Sequence, residues 1–519
     1  MSSSRTARGR RSRRPSRRPT SRPTRAPGST PGSRRTLMAP AATGSAAGAP
    51  LSPGVRSIPM STLRFGVFEV MGPQVGGTYS WAHPLSAGER YADPDHWIRF
   101  ARATEEAGFD FLFFAGGYGY PIIDGDLSEI AALRGINFGG MDPDYLIPLL
   151  AHATSHLGFV VTMPTGVDHP VQLARRFTTL DHLTGGRVGW NIVTGASQNA
   201  VADVFGHAEM VSHDTRYAMA AEFVELAVRM WETSWDDDAL VMDRATGVFA
   251  LPDRIHPLDF AGEHYASRGY FSAPPSPQRT PVLFQAGTSP TGRAFAAGNS
   301  ECVFVQATTP ERTAAAVADI RRRADEAGRD GAALRLMAGM TVFVADTPER
   351  ARELAAEFDA LQTDEIVASL YAGNTGIDLL ALDPDRTLHQ VLDKGGPVGQ
   401  MGTSNIERFL GDDAPTVREI LDQLRGLGTR GFRVVGDGVQ VADQIEALAA
   451  ATGLDGFLIE PAFDAYDIEA FGRLVTPVLR ARGRIADGAP GETLRARMSG
   501  VPGAARLGGS HPVLSAVSA

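Results

Sequence analysis

A turn rich in glycine and hydroxyl groups is the first place in this sequence where chemistry could be done. Residues 281–293 read Pro-Val-Leu-Phe-Gln-Ala-Gly-Thr-Ser-Pro-Thr-Gly-Arg, a buried strand followed by a turn and the start of a helix. Ser289 fits the N-cap position and Pro290 the first helical position. Free backbone N–H groups, the hydroxyls of Thr288 and Ser289 and the helix dipole would meet there, which suits a phosphate monoester. An ordinary capped turn is the alternative.

A second cluster could bind an anion from one side of a helix. His213 and Tyr217 are four residues apart and share one helix face, with Arg216 beside them. All three side chains can donate hydrogen bonds to one anionic group. Because histidine gains and loses its proton near neutral pH, His213 is also the candidate general acid. A surface histidine and a core tyrosine are the structural alternative.

The third candidate is a strand that follows a helix ending on glycine. Residues 177–194 close the helix at Gly185 and then carry Trp190, Asn191 and Thr194 along one buried strand. This strand is interpreted as one wall of a cofactor pocket.

The elements that must position these residues alternate between short strands and longer helices, as in a parallel sheet with crossover helices. Eight strands are predicted, the number that closes a barrel: 63–70, 109–114, 157–162, 188–194, 281–286, 302–305, 336–344 and 457–460. Helices are predicted at 95–107, 170–183, 215–231, 310–327, 348–361 and 439–452. The fold class is therefore α/β, a (β/α)8 TIM barrel.

Two segments, 195–280 and 371–416, are too long for simple crossovers and are predicted to be insertions at the barrel rim. The first contains Gly-Glu-His-Tyr-Ala-Ser-Arg-Gly at 262–269, followed by Pro277-Gln278.

Together with residues 177–194 and 285–293, these motifs resemble the flavin-dependent monooxygenases typified by the nitrilotriacetate, pristinamycin-synthase and dibenzothiophene-sulfone enzymes, a branch of the bacterial-luciferase-like superfamily. The resemblance extends from about Leu63 to about Leu479. It implies an FMN site. Its residues would be Thr162, Trp190, Asn191, His213, Tyr217, Thr288 and Ser289.

The resemblance also implies a two-component reaction. Reduced FMN would come from a separate NAD(P)H:flavin reductase, and O2 would oxidise a small organic substrate beside nitrogen or sulfur or at a carbonyl. Two alternatives stay open: a deazaflavin-dependent oxidoreductase of the same superfamily, and a non-catalytic barrel that binds flavin or a metabolite. Related enzymes associate, so a homo-oligomer, a dimer or tetramer, is expected.

One residue departs from the family pattern. After the second strand the family carries an acidic residue, in Phe-Leu-Ala-Asp-Gly, whereas residues 113–117 here read Phe-Phe-Ala-Gly-Gly. Gly116 offers no side chain for a hydrogen bond, and Tyr118, Tyr120 and Asp124 are candidates to replace that contact. The change bears on substrate class more than on fold.

Other chemistries lack their motifs. His152 and His156 are spaced i, i+4 but lack the glutamate of a zinc protease, so no metal site is expected. The sequence contains neither a Gly-x-Ser-x-Gly elbow nor a dinucleotide fingerprint. Cys302 is the single cysteine, which excludes an intrachain disulfide.

Charge is distributed unevenly along the chain. Residues 1–60 contain thirteen Arg and no Asp or Glu, and removing those charges from the −9 of the whole chain leaves −22 for the remainder. A disordered basic tail is predicted at 1–60, with a start at Met60 as an alternative, a barrel domain at 61–485 and a flexible tail at 486–519. No membrane span and no nucleic-acid partner are expected, and the localisation is predicted to be cytoplasmic.

Overall fold

The computed structural model describes residues 62–518 except 76–77, 124, 196–203, 207–210, 288, 392–405, 407–408, 410–413, 428–430 and 510. The predicted basic tail at 1–60, Thr288 and Asp124 lie outside the described residues.

The strands in this part of the chain are numbered in chain order. They are β1 (Arg64–Val70), β2 (Phe111–Ala115), β3 (Ile122–Ile123), β4 (Asp126–Leu127), β5 (Gly158–Pro164), β6 (Val188–Val193), β7 (Leu240–Asp243), β8 (Val248–Ala250), β9 (Pro257–Ala261), β10 (Ala266–Tyr270), β11 (Val282–Gln285), β12 (Cys302–Val305), β13 (Arg335–Val344), β14 (Phe432–Gly436) and β15 (Gly456–Ile459).

The α-helices are numbered in the same way. They are α1 (Pro94–Glu106), α2 (Glu129–Arg134), α3 (Ile147–Ala153), α4 (Pro170–Thr184), α5 (His213–Thr233), α6 (Pro290–Asn299), α7 (Pro310–Glu326), α8 (Pro348–Leu361), α9 (Asp364–Thr375), α10 (Leu388–Val391), α11 (Val417–Leu427), α12 (Gly438–Thr452), α13 (Ala465–Leu474), α14 (Thr476–Ala481), α15 (Leu494–Ser499) and α16 (Pro512–Ser518).

Eight parallel strands close into a ring, which confirms the predicted (β/α)8 barrel. The order around the ring is β1, β2, β5, β6, β11, β12, β13 and β15, and β15 pairs again with β1. All eight strands predicted from the sequence are ring strands. A further strand, β14, pairs with the C-terminal half of β13 and was not predicted.

Each ring strand separates two hydrophobic layers, because successive side chains point to opposite faces of a sheet. In β6, Val188, Trp190 and Ile192 belong to the layer between the strands and the helices. Gly189 and Asn191 face the barrel interior, where a Cβ on Gly189 would meet Phe284 and Leu494. The interior is filled mainly by Phe111, Phe113, Val160, Val282, Phe284, Cys302, Met337 and Leu458.

Local sequence explains where many helices begin. A capping side chain accepts a backbone N–H and is followed by proline at the first helical position, which needs no N–H there. The pairs are Asp93-Pro94, His169-Pro170, Ser289-Pro290, Thr309-Pro310 and Thr347-Pro348.

The first predicted insertion, 195–280, contains regular secondary structure. It contains α5, which packs against α4 and α6, and two antiparallel hairpins, β7–β8 and β9–β10. The second, 371–416, begins within α9, and its described residues pack with α11 in a hydrophobic cluster of their own around Tyr371 and Phe409.

The prediction that residues 486–519 form a flexible tail is wrong. Leu494 and Met498 of α15 are 2% exposed and belong to the barrel interior. Leu494 lies against Gly158 and Gly189, at the N-terminal ends of their strands. The Arg495 guanidinium binds Glu301 at 2.8 Å and also donates to the backbone carbonyl oxygens of Thr280 and Pro281. The C-terminal segment therefore closes one end of the barrel.

Candidate functional site

Two polar side chains meet inside the barrel near the C-terminal ends of β5 and β6. Thr162 and Asn191 are register partners, and both are at least nine-tenths buried. The Asn191 Nδ2 donates to the Thr162 Oγ1 over 2.9 Å. The Asn191 Oδ1 is buried and accepts no hydrogen bond from any described residue. Buried acceptors are rarely left unpaired, so this atom suits a ligand N–H.

The turn after β11 comes so close to the Tyr217 hydroxyl that only glycine fits. A Cβ on Gly287 would lie 2.9 Å from the Tyr217 Oη, and one on Gly292 would lie 2.7 Å from it. The Gly287 N–H donates to the Gln285 Oε1 over 2.6 Å, which holds the turn in place. The two glycines thus let the turn, the start of α6 and the Tyr217 hydroxyl pack closely against one another.

The start of α6 faces this turn. The Ser289 Oγ accepts the N–H of Gly292 over 3.0 Å, as predicted for an N-cap. The same Oγ lies 3.2 Å from the His213 Nε2. Backbone N–H groups at the start of a helix favour an anion through their dipole. The structure therefore brings His213, Tyr217 and Ser289 together.

Asp214 joins the starts of α5 and α6, and sequence reasoning missed it. Its Oδ1 lies 2.8 Å from the His213 Nδ1 and accepts the Thr291 hydroxyl over 3.0 Å. The hydrogen bond with His213, and next that with Thr291, lower the pKa of the Asp214 carboxyl. An acidic residue next to a candidate histidine is the signal that could have found it.

Tyr217 stays a neutral hydrogen-bond donor. Burial raises the pKa of its phenol, while hydrogen bonds with Thr194, Gln285 and Ser289 act in the opposite direction. Gln285 was also missed, although a glutamine at the end of a buried strand, directly before a glycine turn, is a polar residue that the core alone does not explain.

Arg216 lies on the same helix, with 8% of its surface exposed. One guanidinium nitrogen donates to the Val211 carbonyl oxygen over 2.8 Å, and burial lowers the pKa of the group. Part of its donor capacity is therefore used to hold the chain that leads into α5.

Comparison with known proteins agrees with this geometry. A family model described as luciferase-like monooxygenase matches residues 64–456. The chain is 36% identical over 442 residues to the dimethyl-sulfide monooxygenase of Hyphomicrobium sulfonivorans, covering 85% of this chain and 90% of that protein. It is 31% identical to nitrilotriacetate monooxygenase component A of Aminobacter aminovorans, covering 83% and 94%.

The chain belongs to the luciferase-like monooxygenase family. A crystal structure of a riboflavin lyase with modified FMN and the substrate riboflavin superimposes with a TM-score of 0.81 at 36% identity, covering 88% of this chain and 99% of that one. The resemblance inferred from the motifs is confirmed, and the protein is a flavin-dependent monooxygenase.

Trp190, which the resemblance implied as a cofactor-binding residue, does not lie with the other candidate residues of this luciferase-like chain. Its ring lies in the layer between strands and helices, against Phe177, Phe223 and Trp231. Its Nε1 donates to the Met163 carbonyl oxygen over 3.0 Å. Trp190 is one residue from Asn191 and therefore points to the opposite face of β6. The structure does not support a cofactor contact for its side chain.

Aromatic rings occupy the interior beneath the C-terminal ends of the ring strands. Phe68 stacks on Phe113 with ring centres 5.3 Å apart, and Phe304 meets Phe113 edge-on at 4.9 Å. Phe113 is buried, whereas Phe68, Phe304 and the small Ala115 are half-buried. The luciferase-like barrel thus offers an apolar surface as well as the polar pair Thr162 and Asn191.

Two further observations concern the described residues only. They include no group of three or more His, Cys, Asp or Glu side chains that could hold a metal ion. No helix among them combines the length and apolar character of a membrane span.

Proposed function

We propose that the protein binds reduced FMN delivered by a separate NAD(P)H:flavin reductase, and that it uses O2 to oxidise a small organic substrate beside nitrogen or sulfur or at a carbonyl. The observation that carries the proposal is the convergence of the His213 imidazole with the Ser289 and Tyr217 hydroxyls at the start of α6. Together with the backbone N–H groups of the helix start, these side chains are suitable donors for a phosphate monoester.

The phosphate end of FMN would be held by the start of α6. Ser289, Tyr217 and His213 supply side-chain donors, and the helix supplies backbone N–H groups. Because the His213 Nε2 faces Ser289, we assign His213 to the phosphate rather than to proton transfer on the substrate. Thr288 stays a predicted fourth ligand.

The ring end of FMN would lie by Thr162 and Asn191. The unpaired Asn191 Oδ1 suits an N–H of the isoalloxazine, and the Thr162 hydroxyl keeps its own proton for a second hydrogen bond. Bound reduced FMN would supply the electrons that activate O2. The chain's task is to orient the ring and to keep water away from it, which the aromatic interior favours.

The reductase partner is supported by the family. One relative is named as component A of a monooxygenase, which indicates a second component for that protein. We infer the same division of labour here. A reductase that oxidises NAD(P)H works in the compartment that contains NAD(P)H, so the predicted cytoplasmic localisation depends on this partner. The localisation and the dimer or tetramer both stay predictions.

Comparing FMN with riboflavin tests the phosphate assignment directly, because riboflavin lacks only the phosphate. Full-length protein should bind FMN at least about a hundredfold more tightly than riboflavin, since two charge-assisted hydrogen bonds contribute about 1.5–3 kcal/mol each. The double variant Tyr217→Phe/Ser289→Ala should lose most of that preference, as measured by fluorescence titration under anaerobic conditions with both redox states.

A matched control is available on the protein surface. Tyr270→Phe/Ser272→Ala makes the same two chemical changes at exposed positions and should leave the preference unchanged. Absence of binding to either flavin would overturn the proposed function. A preference that survives the Tyr217/Ser289 double variant would overturn the phosphate assignment alone.

A further inference from the structure

We propose that the surface formed by Phe68, Phe113 and Phe304 is the substrate subsite, and that it takes an uncharged apolar group such as the aryl or alkyl arm of a thioether and rejects carboxylates. This inference rests on the proposed function, because the flavin and the substrate must share one end of the barrel.

The three rings come from strands on both sides of the barrel. Phe68 and Phe113 are register partners on the adjacent strands β1 and β2, whereas Phe304 comes from β12 and reaches across the interior to Phe113. The partial exposure of Phe68 and Phe304 leaves aromatic surface uncovered. A ligand that covers it gains about 25 cal/mol for each Å² of apolar surface removed from water.

Small residues leave room above this surface. Ala115 follows Phe113 by two residues on the same face of β2, and Gly116 and Gly117 come next. A Cβ on Gly116 would lie 3.4 Å from the Thr162 carbonyl oxygen, and one on Gly117 would meet nothing within 4 Å. Among the described residues, no atom outside this loop lies within 4 Å of the position that a Gly117 Cβ would occupy, so β2 ends in an open stretch without side chains at 116 and 117.

Charge around the neighbouring loops is unfavourable for anions. The carboxylates of Asp142, Asp168 and Asp144 all raise the pKa of Tyr118, after burial, which makes the larger contribution. Arg176 is the cation among them, and its guanidinium is already paired with Asp168 at 3.0 Å and with Asp144 at 3.8 Å. The charges that act on Tyr118, shortly after the end of β2, are thus three carboxylates and one arginine that is already paired.

A carboxylate also lies near the end of β15. Glu460 is 9% exposed and follows the interior residue Leu458 by two positions, so it faces the same side of the sheet. It approaches Gly339 so closely that a side chain there would clash with it. Glu460 therefore adds an acidic side chain to this end of the barrel interior.

Three probes that share a methylthiophenyl group test the inference: methyl phenyl sulfide, 4-(methylthio)benzoate and 4-(methylthio)benzylamine. Each is titrated into the FMN-loaded full-length protein, and binding is followed by the absorption difference spectrum of bound FMN and by calorimetry. Methyl phenyl sulfide should bind at least tenfold more tightly than the benzoate. Phe304→Ala and Phe68→Ala should each weaken it about tenfold while FMN affinity stays within twofold.

Phe249→Ala is the control. Phe249 lies on β8 and is 55% exposed, so the substitution makes the same chemical change away from the barrel interior. Gly116→Asp should weaken methyl phenyl sulfide, because it places a carboxylate beside the apolar space. If Phe304→Ala fails to fold, as judged by circular dichroism, Phe304→Leu replaces it and should weaken the thioether by a smaller factor.

The outcomes distinguish a failure of the proposed function from a failure of the substrate subsite. A protein that binds no FMN refutes the proposed function. A protein that binds FMN but prefers the benzoate, or whose Phe68 and Phe304 variants behave like the Phe249 control, refutes the subsite and leaves the proposed function standing. Preference for the benzylamine over the neutral probe also refutes it, because the site would then select a cation.

Discussion

The Asn191 side-chain amide donates to the Thr162 hydroxyl over 2.9 Å, and the two residues are register partners on neighbouring strands of the closed ring. This bond fixes the amide orientation, so the Asn191 Oδ1 is the atom left for a ligand. The backbone pairing of β5 and β6 therefore determines which hydrogen-bonding atom the barrel presents.

Thr162→Val tests that relationship, because valine has nearly the same shape and cannot accept the hydrogen bond. The Asn191 Nδ2 would then be buried without a partner, which costs about 1–3 kcal/mol in the free energy of unfolding. Urea unfolding measures the loss, and FMN affinity should fall as well. Thr179→Val, at an exposed position of α4, should stay within about 0.5 kcal/mol of wild type. Equal stabilities for the two variants would contradict the prediction.

Gly292→Ala tests the close approach to Tyr217. The added methyl group would lie 2.7 Å from the Tyr217 Oη, so the phenol must move and FMN affinity should fall at least tenfold. Gly298→Ala belongs to the same helix, and its Cβ would meet nothing within 4 Å. That control should keep FMN affinity and gain about 0.5–1 kcal/mol of stability. Unchanged FMN affinity in Gly292→Ala would show that the turn tolerates a side chain.

Arg495→Ala tests the closure of the barrel by α15. Removing the guanidinium leaves the half-buried Glu301 carboxylate without its ion pair and the Thr280 and Pro281 carbonyl oxygens without their donor, which costs about 1–3 kcal/mol. Thermal and urea unfolding should both show the loss. Arg268→Ala, at an exposed position of β10, serves as the matched control and should have little effect. A loss no larger than that of the control would mean that the C-terminal segment contributes little to stability.

His511 predicts a loss of stability at mildly acidic pH. Burial, and next the charge of Arg329, lower the pKa of its imidazole to about 4, whereas the unfolded side chain titrates near 6.5. Between these values the unfolded chain binds more protons, so the free energy of unfolding falls as the pH drops from about 6.5 toward about 4.

The contribution of His511 should amount to about 2 kcal/mol between neutral pH and about pH 5. Urea unfolding at both pH values measures it. His511→Leu should reduce the pH dependence by that amount, whereas His152→Gln, at an exposed position, should leave it as in wild type. Identical pH profiles for His511→Leu and wild type would exclude this role.

The ring could be predicted from sequence because its signals are local. Short apolar runs, capping residues before proline and glycines after helices identified all eight ring strands and six of the helices that pack around them. The alternation of side chains along a strand could have placed Trp190 outside the barrel interior, since its neighbour Asn191 must point to the other face of the strand.

The C-terminal segment could not be predicted in this way. Its residues are rich in Gly, Ala, Ser and Arg, which is typical of a tail. Its partners are far away in sequence: Arg495 binds Glu301, and Arg497 binds Asp110. The contact of Asp214 with Thr291 could not be predicted for the same reason, because Thr291 belongs to another helix. Contacts between distant segments leave no periodic signal in one sequence.

Closure of the barrel by Leu494 and Met498 has a consequence for synthesis. The ribosome makes these residues after all eight ring strands, and until they emerge Phe111, Val160 and their apolar neighbours lack the side chains that cover them. A nascent chain must therefore wait for this segment before the barrel is complete, and a chain that stops before it would be prone to aggregation.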